Sequence, residues 1–173
     1  MRVPSGKILW NEYRSFDGNR QVCPRTRPDG DLLVANQCAI RLSVALGRSS
    51  CGFTFANWSY GGFIHSSGAC SHLPPHVTGS TDLVNYLEDE GLGFEVYTKS
   101  PTLTAANVKD RVRGRMGIIY FGLCFGVRGS HIDFWNGNQF MNQVLRVSAG
   151  GGLPSSSDLF ATADGDIKFS PTP

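Results

Sequence analysis

Cys38 and His131 are the two residues whose types could together cleave an amide bond. A cysteine attacks a carbonyl carbon as its thiolate, yet an ordinary thiol is only a few per cent ionised at neutral pH. Cys38 follows Asn36-Gln37, a good helix start, and the first turn of a helix favours an anion. An imidazole beside the thiol would take its proton and later return it to a leaving amine. This pairing predicts nucleophilic cysteine catalysis.

Cys38 is the best placed of the five cysteines. The others do not stand at a capped helix start: Cys23, Cys51, Cys70 and Cys124. An odd number leaves at least one cysteine of a monomer outside any disulfide. In an oxidising compartment we expect a Cys51–Cys70 bridge across a glycine-rich loop. The alternative for Cys38 is a buried helix cysteine that acts only as a small apolar residue.

His131 is the best of four histidines for the general base. It lies near the start of a predicted strand, 130–135, which can hold an imidazole in place. The other three lie in a loop rich in glycine, serine and proline: His65, His72 and His76. Asp133 is two residues on, so its side chain projects from the same face and could orient the ring. Asn142, on a predicted returning strand, is the other candidate. Both stay open, and we favour Asn142 because a neighbouring strand gives better geometry.

The elements around these residues predict one α+β domain over residues 1–173. The predicted helices are 37–46, 80–88 and 104–113, and the predicted strands are 94–97, 117–121, 130–135 and 141–147. Asn136-Gly137 predicts a type I′ turn between the last two strands. Residues 6–27 are expected to form an irregular segment, pinned by Trp10, Tyr13 and Phe16. The 51–80 excursion is predicted to border the cleft, and 167–173 to be a short polar tail.

The composition excludes some classes of function. Sixteen Lys and Arg against 14 Asp and Glu give a formal charge of +2, too even for nucleic-acid binding. No run approaches the roughly 18 apolar residues of a transmembrane helix, so we expect no membrane insertion. Residues 1–7 lack the apolar segment of a signal peptide. We therefore expect synthesis in the cytoplasm and export by another route.

Two sequence blocks resemble a known family. Residues 36–46 are Asn-Gln-Cys-Ala-Ile-Arg-Leu-Ser-Val-Ala-Leu, and residues 129–137 are Gly-Ser-His-Ile-Asp-Phe-Trp-Asn-Gly. Together they resemble the fourth family of type VI secretion amidase effectors. The resemblance implies a papain-like, NlpC/P60-type α+β fold. In that fold the helix bearing Cys38 packs on an antiparallel sheet bearing His131, and no cofactor or metal is used.

The resemblance also implies a function. Such effectors are injected by one bacterium into the periplasm of a rival, where they cleave the peptidoglycan stem peptide between D-glutamate and meso-diaminopimelate. The implied partners are the type VI secretion machinery, the stem peptide and a cognate immunity protein. Cys38 and His131 carry over directly. The family's third residue is acidic and lies on the strand after the histidine, but 138–143 contains no carboxylate, which leaves Asn142 or Asp133.

Two other classes of function compete with this interpretation. A zinc protein would use the cysteine and histidines of the loop, although their spacing matches no strong ligand pattern: His65, Cys70, His72 and His76. A non-catalytic wall-binding domain would use the aromatic residues of the same loop as a platform: Phe53, Phe55, Trp58, Tyr60 and Phe63. The second alternative leaves the cysteine and histidine pair unexplained.

Overall fold

The computed structural model describes residues 4–14, 22–23, 38–49, 52–53, 55, 64–65, 76–124, 129–141, 159–160 and 163–173. Its helices are α1 (Gly6–Arg14), α2 (Cys38–Arg48), α3 (Ser80–Asp89) and α4 (Ala105–Val112). Its strands are β1 (Ile64–His65), β2 (His76–Val77), β3 (Glu95–Tyr97), β4 (Gly117–Cys124), β5 (Gly129–Trp135) and β6 (Ile167–Pro171). Among these residues, no helix is long and apolar enough to cross a membrane.

The main sheet is antiparallel, in the order β3-β6-β4-β5. Side chains of β4 alternate between its faces, as the strand period requires. Ile118 and Tyr120 join a core with α1, α2 and α3, whereas Ile119 and Phe121 join a second core with β6. Both α2 and α3 pack against β5 at the sheet edge. The structure therefore confirms the predicted α+β architecture and brings the start of α2 to the strand of His131.

The three predicted helices are present with nearly the predicted bounds. α2 is buried from Cys38 to Leu46, so it forms a central helix. Thr104 caps α4 by accepting a hydrogen bond from the Asn107 backbone N–H, in a capping box. α3 begins at Ser80, as predicted, and its N-cap is Gly79. The Ser80 hydroxyl contacts Cys38 instead of the α3 backbone.

The prediction for the N-terminal segment is wrong. Residues 6–14 form helix α1, not an irregular loop. Leu9 and Tyr13 are four residues apart and fully buried, the spacing of one helical face, and α1 packs on α2. The aromatic anchoring of this segment is correct for Tyr13. Phe16 lies outside the described residues.

The prediction for the C-terminal tail is also wrong. Residues 167–171 form β6, an inner strand that pairs with both β3 and β4. Ile167 and Phe169 alternate with polar residues and point into the second core. Lys168 donates to Glu88 at 2.6 Å. The alternation is short, and the pairing partners of β6 lie far away in sequence, so the strand depends on long-range contacts.

The turn after β5 is longer than the predicted two-residue type I′ turn. Trp135 and Phe140 form a bridge that encloses residues 136–139. The Asn136 side-chain oxygen accepts hydrogen bonds from the backbone N–H groups of Asn138 and Gln139, at 3.0 and 2.8 Å. Gly137 has φ +97°, a conformation that favours glycine. Met141 is helical, which contradicts an extended start of the predicted 141–147 strand, and the rest of that strand lies outside the described residues.

Candidate functional site

Cys38 is the first residue of α2 and is 4% exposed. Its thiol hydrogen-bonds the imidazole of His131 and the backbone amide of Ile132. A third contact joins the Cys38 sulfur to the hydroxyl oxygen of Ser80 at 3.3 Å. The start of α2, the edge strand β5 and the start of α3 thus meet at one sulfur atom. The predicted helix-start position of Cys38 and its proximity to His131 are both present.

His131 is held on β5 between a carboxylate and aromatic rings. Its Nε2 lies 3.4 Å from Oδ2 of Asp133, which is fully buried. The rings of Phe121 and Phe140 each lie 6.4 Å from the imidazole, centroid to centroid. Asp133 also accepts a hydrogen bond from the backbone N–H of Phe134 at 2.8 Å. Because Nε2 faces Asp133, Nδ1 is the ring nitrogen left to face Cys38.

The thiol and the imidazole favour each other's charged forms. Burial raises the pKa of Cys38, but the charge and hydrogen bond of His131 outweigh burial and lower the pKa of the thiol. Burial lowers the pKa of His131, but the charge of Cys38 and the hydrogen bond and charge of Asp133 raise it to about 10. Both shifts stabilise a thiolate–imidazolium pair. Such a pair is the reactive form of a nucleophilic cysteine.

Tyr13 reaches the site from α1. Its hydroxyl lies 3.4 Å from the Cys38 carbonyl oxygen and within hydrogen-bonding reach of the Asp133 carboxylate, and its single proton is donated to one of these acceptors at a time. Burial and the nearby charge of Asp133 raise the pKa of Tyr13, so its hydroxyl keeps its proton and remains a donor. Arg41, one turn along α2 and buried, places a positive charge near the same hydroxyl. Tyr13 therefore lies among the charged and polar groups of Arg41, Asp133 and Cys38.

The structure brings together three of the four predicted site residues: Cys38, His131 and Asp133. Asn142 lies outside the described residues, so its role stays a prediction. Sequence reasoning missed Ser80 and Tyr13 as neighbours of the site. It placed Ser80 at the start of a predicted helix and Tyr13 among the aromatic anchors of the N-terminal segment, because neither local pattern indicates a contact with a residue so distant in sequence.

The zinc-site and wall-binding interpretations both depend on the loop after α2, of which the structure describes a part. No cluster of three potential metal-ligating side chains occurs in the described part of the chain, and of the four proposed zinc ligands only His76 has a described side chain. Phe53 and Phe55 are buried, so these two do not form an exposed aromatic platform. Trp58, Tyr60 and Phe63 lie outside the described residues, as do Cys51 and Cys70. The predicted disulfide and the predicted position of the 51–80 excursion beside the cleft therefore stay predictions.

A helix that begins at a cysteine, packed on an antiparallel sheet that carries a histidine, is the papain-like, NlpC/P60-type fold. The family described as Type VI secretion system (T6SS), amidase effector protein 4 (Tae4) matches residues 34–169. The chain belongs to this family of amidase effectors. The match confirms the family predicted from the two sequence blocks.

Solved structures show the same fold. The type VI effector Tae4 from Enterobacter cloacae superposes with a TM-score of 0.64 and 18% identity, over 100% of both chains. The effector–immunity complex Tae4–Tai4 from Enterobacter cloacae gives 0.63 and 20%, again over 100% of both chains. The Tae4/Tai4 system from Salmonella typhimurium gives 0.63 and 18%, over 99% of this chain and 100% of that chain. Comparison with curated proteins gives no match.

Proposed function

We propose that this effector hydrolyses an amide bond of the peptidoglycan stem peptide, with Cys38 as the nucleophile and His131 as the general base. The observation that carries the proposal is the buried contact between the Cys38 thiol and the His131 imidazole, with pKa shifts that favour the ion pair. Both residues lie within the segment that matches the amidase effector family. Asp133, 3.4 Å from the ring, is the described candidate that orients His131.

In the first half of the proposed reaction, the Cys38 thiolate attacks the carbonyl carbon of the scissile amide. The carbonyl oxygen becomes an oxyanion, which the backbone N–H of Cys38 at the start of α2 is suited to stabilise. His131, as imidazolium, gives its proton to the amide nitrogen as the carbon–nitrogen bond breaks. The products of this half are a free amine and a thioester on Cys38.

In the second half, His131 is neutral and accepts a proton from water. The hydroxide formed attacks the thioester carbon, the carbon–sulfur bond breaks, and the carboxylic acid leaves. The sulfur returns to thiolate beside a protonated ring, so the starting ion pair is restored. Asp133 stabilises the ring each time that it is charged, because its carboxylate lies beside Nε2 in a buried site.

The proposed substrate bond joins D-glutamate to meso-diaminopimelate, on the basis of the family resemblance. We further propose delivery by a type VI secretion system into the periplasm of a target bacterium. Related effectors are known in complexes with Tai4 immunity proteins. By the same reasoning, this chain has its own immunity protein, which would block substrate most simply by covering the cleft at Cys38 and His131.

Digestion of purified peptidoglycan sacculi, followed by mass spectrometry of the released muropeptides, tests the chemistry. We expect wild-type protein to produce cleaved stem peptides and Cys38→Ala to produce none, while both stay folded. Cys23→Ala is the matched control, because Cys23 is also a buried cysteine, at 1% exposure, and is not a predicted site residue. Hydrolysis by folded Cys38→Ala at near the wild-type rate would contradict the nucleophile.

Expression in two compartments tests the target. In the cytoplasm of a Gram-negative bacterium the protein should be tolerated, because the crosslinked wall lies outside the inner membrane. With an added periplasmic signal sequence it should lyse the cell, and Cys38→Ala should remove that toxicity. Cytoplasmic toxicity that survives the loss of Cys38 would indicate a different target.

A further inference from the structure

The Ser80 hydroxyl lies between two hydrogen-bond acceptors. Its oxygen is 3.3 Å from the Cys38 sulfur and 3.3 Å from the Ser130 carbonyl oxygen. A serine hydroxyl carries one proton, so it donates to only one of them at a time. Ser80 is buried, with 8% of its surface exposed. The protonation state of the sulfur therefore decides where this proton points.

The neutral and the ionised Cys38 sulfur differ in which group donates the hydrogen bond between Cys38 and Ser80. A neutral thiol can donate its own proton to the Ser80 oxygen, and Ser80 then donates to the Ser130 carbonyl. A thiolate has no proton, so a hydrogen bond between the two side chains requires Ser80 to donate to the sulfur. Hydrogen bonds to an anion are stronger than those to a neutral acceptor.

We infer that Ser80 is a further catalytic residue, whose hydroxyl donates to the Cys38 sulfur while it is anionic and turns to the Ser130 carbonyl when it is not. The inference rests on the proposed role of Cys38 as nucleophile. During acylation the sulfur loses its charge to become a thioester sulfur, a weak acceptor, and the hydroxyl returns to the carbonyl. Rotation of one hydroxyl thus follows the charge of the sulfur without moving a helix or a strand.

Other charged or titratable groups also face this sulfur, and the test must separate Ser80 from them. From β5 the sulfur faces His131, with Asp133 behind the ring. From α1 it faces Tyr13, and along α2 Arg41 lies one turn away. α3 contributes Ser80, which is uncharged at every pH of interest. Replacing Ser80 therefore removes a hydrogen bond to the sulfur without removing a charge.

The experiment is alkylation of Cys38 by iodoacetamide as a function of pH, followed by peptide mass spectrometry at Cys38. Only the thiolate reacts, so the rate reports ionisation of the sulfur and needs no peptidoglycan. Each rate is divided by the plateau rate that the same protein reaches at alkaline pH. At acidic pH, we expect this normalised rate to be about tenfold lower for Ser80→Ala than for wild type. Ser80→Thr keeps a hydroxyl and should restore the wild-type limb.

Ser49→Ala is the matched control. Ser49 is also buried, and its hydroxyl donates to the Leu46 carbonyl at 2.6 Å, beyond the far end of α2 and about 16 Å along the helix from Cys38. Its profile should equal that of wild type. Ser80→Gly provides a second hydroxyl-free variant if Ser80→Ala does not fold, as judged by circular dichroism.

The outcomes separate this inference from the proposed function. A hydroxyl-free variant whose acid limb coincides with that of wild type overturns the role of Ser80 and leaves the ion pair in place. A wild-type Cys38 that alkylates like an ordinary thiol overturns the ion pair, and the role of Ser80 with it. A shifted limb in a protein that does not digest sacculi supports Ser80 and contradicts the proposed substrate.

Discussion

Asp133→Asn removes the carboxylate charge beside His131 while nearly keeping the shape of the side chain. We expect it to slow peptidoglycan hydrolysis strongly, because attack starts from the ion pair and the imidazolium loses its buried counter-charge. The carboxylate is fully buried, so neither water nor salt can replace that charge effectively. The prediction is specific to Asp133 and is independent of any effect at Asn142.

The magnitude follows from the geometry. Asp133 Oδ2 lies 3.4 Å from His131 Nε2, and at an effective dielectric constant of about 20 two unit charges at this distance attract by about 5 kcal/mol. Removing one partner from a buried ion pair typically costs about 3–5 kcal/mol. We take the neutral thiol and imidazole as the reference state, so this loss of ion-pair stability adds directly to the activation free energy. It lowers kcat/KM between about a hundredfold and a few thousandfold.

The assay is kcat/KM on a soluble stem-peptide fragment, with thermal unfolding as the check on folding. Asp164→Asn is the matched control, because Asp164 pairs with Lys99 at 2.9 Å on the surface. That exposed pair contributes less than about 1 kcal/mol to stability, so kcat/KM should stay at the wild-type value. A folded Asp133→Asn protein within about threefold of wild type would refute the reasoning. Asn142→Ala in the same assay tests the other candidate orienter.

Three further predictions concern the pH profile of hydrolysis, the Tyr13 hydroxyl and the position of strand β6 in the sheet. The pH profile of kcat/KM should be bell-shaped, rising as Cys38 ionises at its lowered pKa and falling near pH 10 as His131 loses its proton. Tyr13→Phe should lower kcat about fivefold with KM unchanged, since one hydrogen-bonding hydroxyl is removed beside Cys38 and Asp133; an unchanged kcat would mean that this hydroxyl does not support the site. Phe169→Ala should destabilise the fold by about 3–5 kcal/mol in urea unfolding, because Phe169 is fully buried. Val96→Ala, at a side chain 53% exposed, should cost far less, and equal costs would mean that β6 is not an inner strand.

Much of the scaffold was predictable from local patterns. α2, α3 and α4 have apolar faces of helical period and residues suited to helix ends. β4 is a run of mostly apolar residues, and β5 ends in apolar and aromatic residues before a turn signal. These signals act over one element at a time, so no knowledge of the fold is needed to read them. α1 and β6 were missed because each is mixed in composition, and packing against distant elements stabilises them more than their own propensities do.

The candidate nucleophile and base were identified from the sequence by their residue types, their positions on predicted elements and two sequence blocks. Asp133 was also identifiable, since the period of a strand places residues 131 and 133 on one face. The contacts of Ser80 and Tyr13 were decided only by the tertiary structure. Each lies 25 or more residues from Cys38 along the chain, and local sequence patterns carry no information about such distances. The contact between the thiol and the imidazole, which outweighs burial and sets the pKa directions of both groups, is likewise a property of the packed chain.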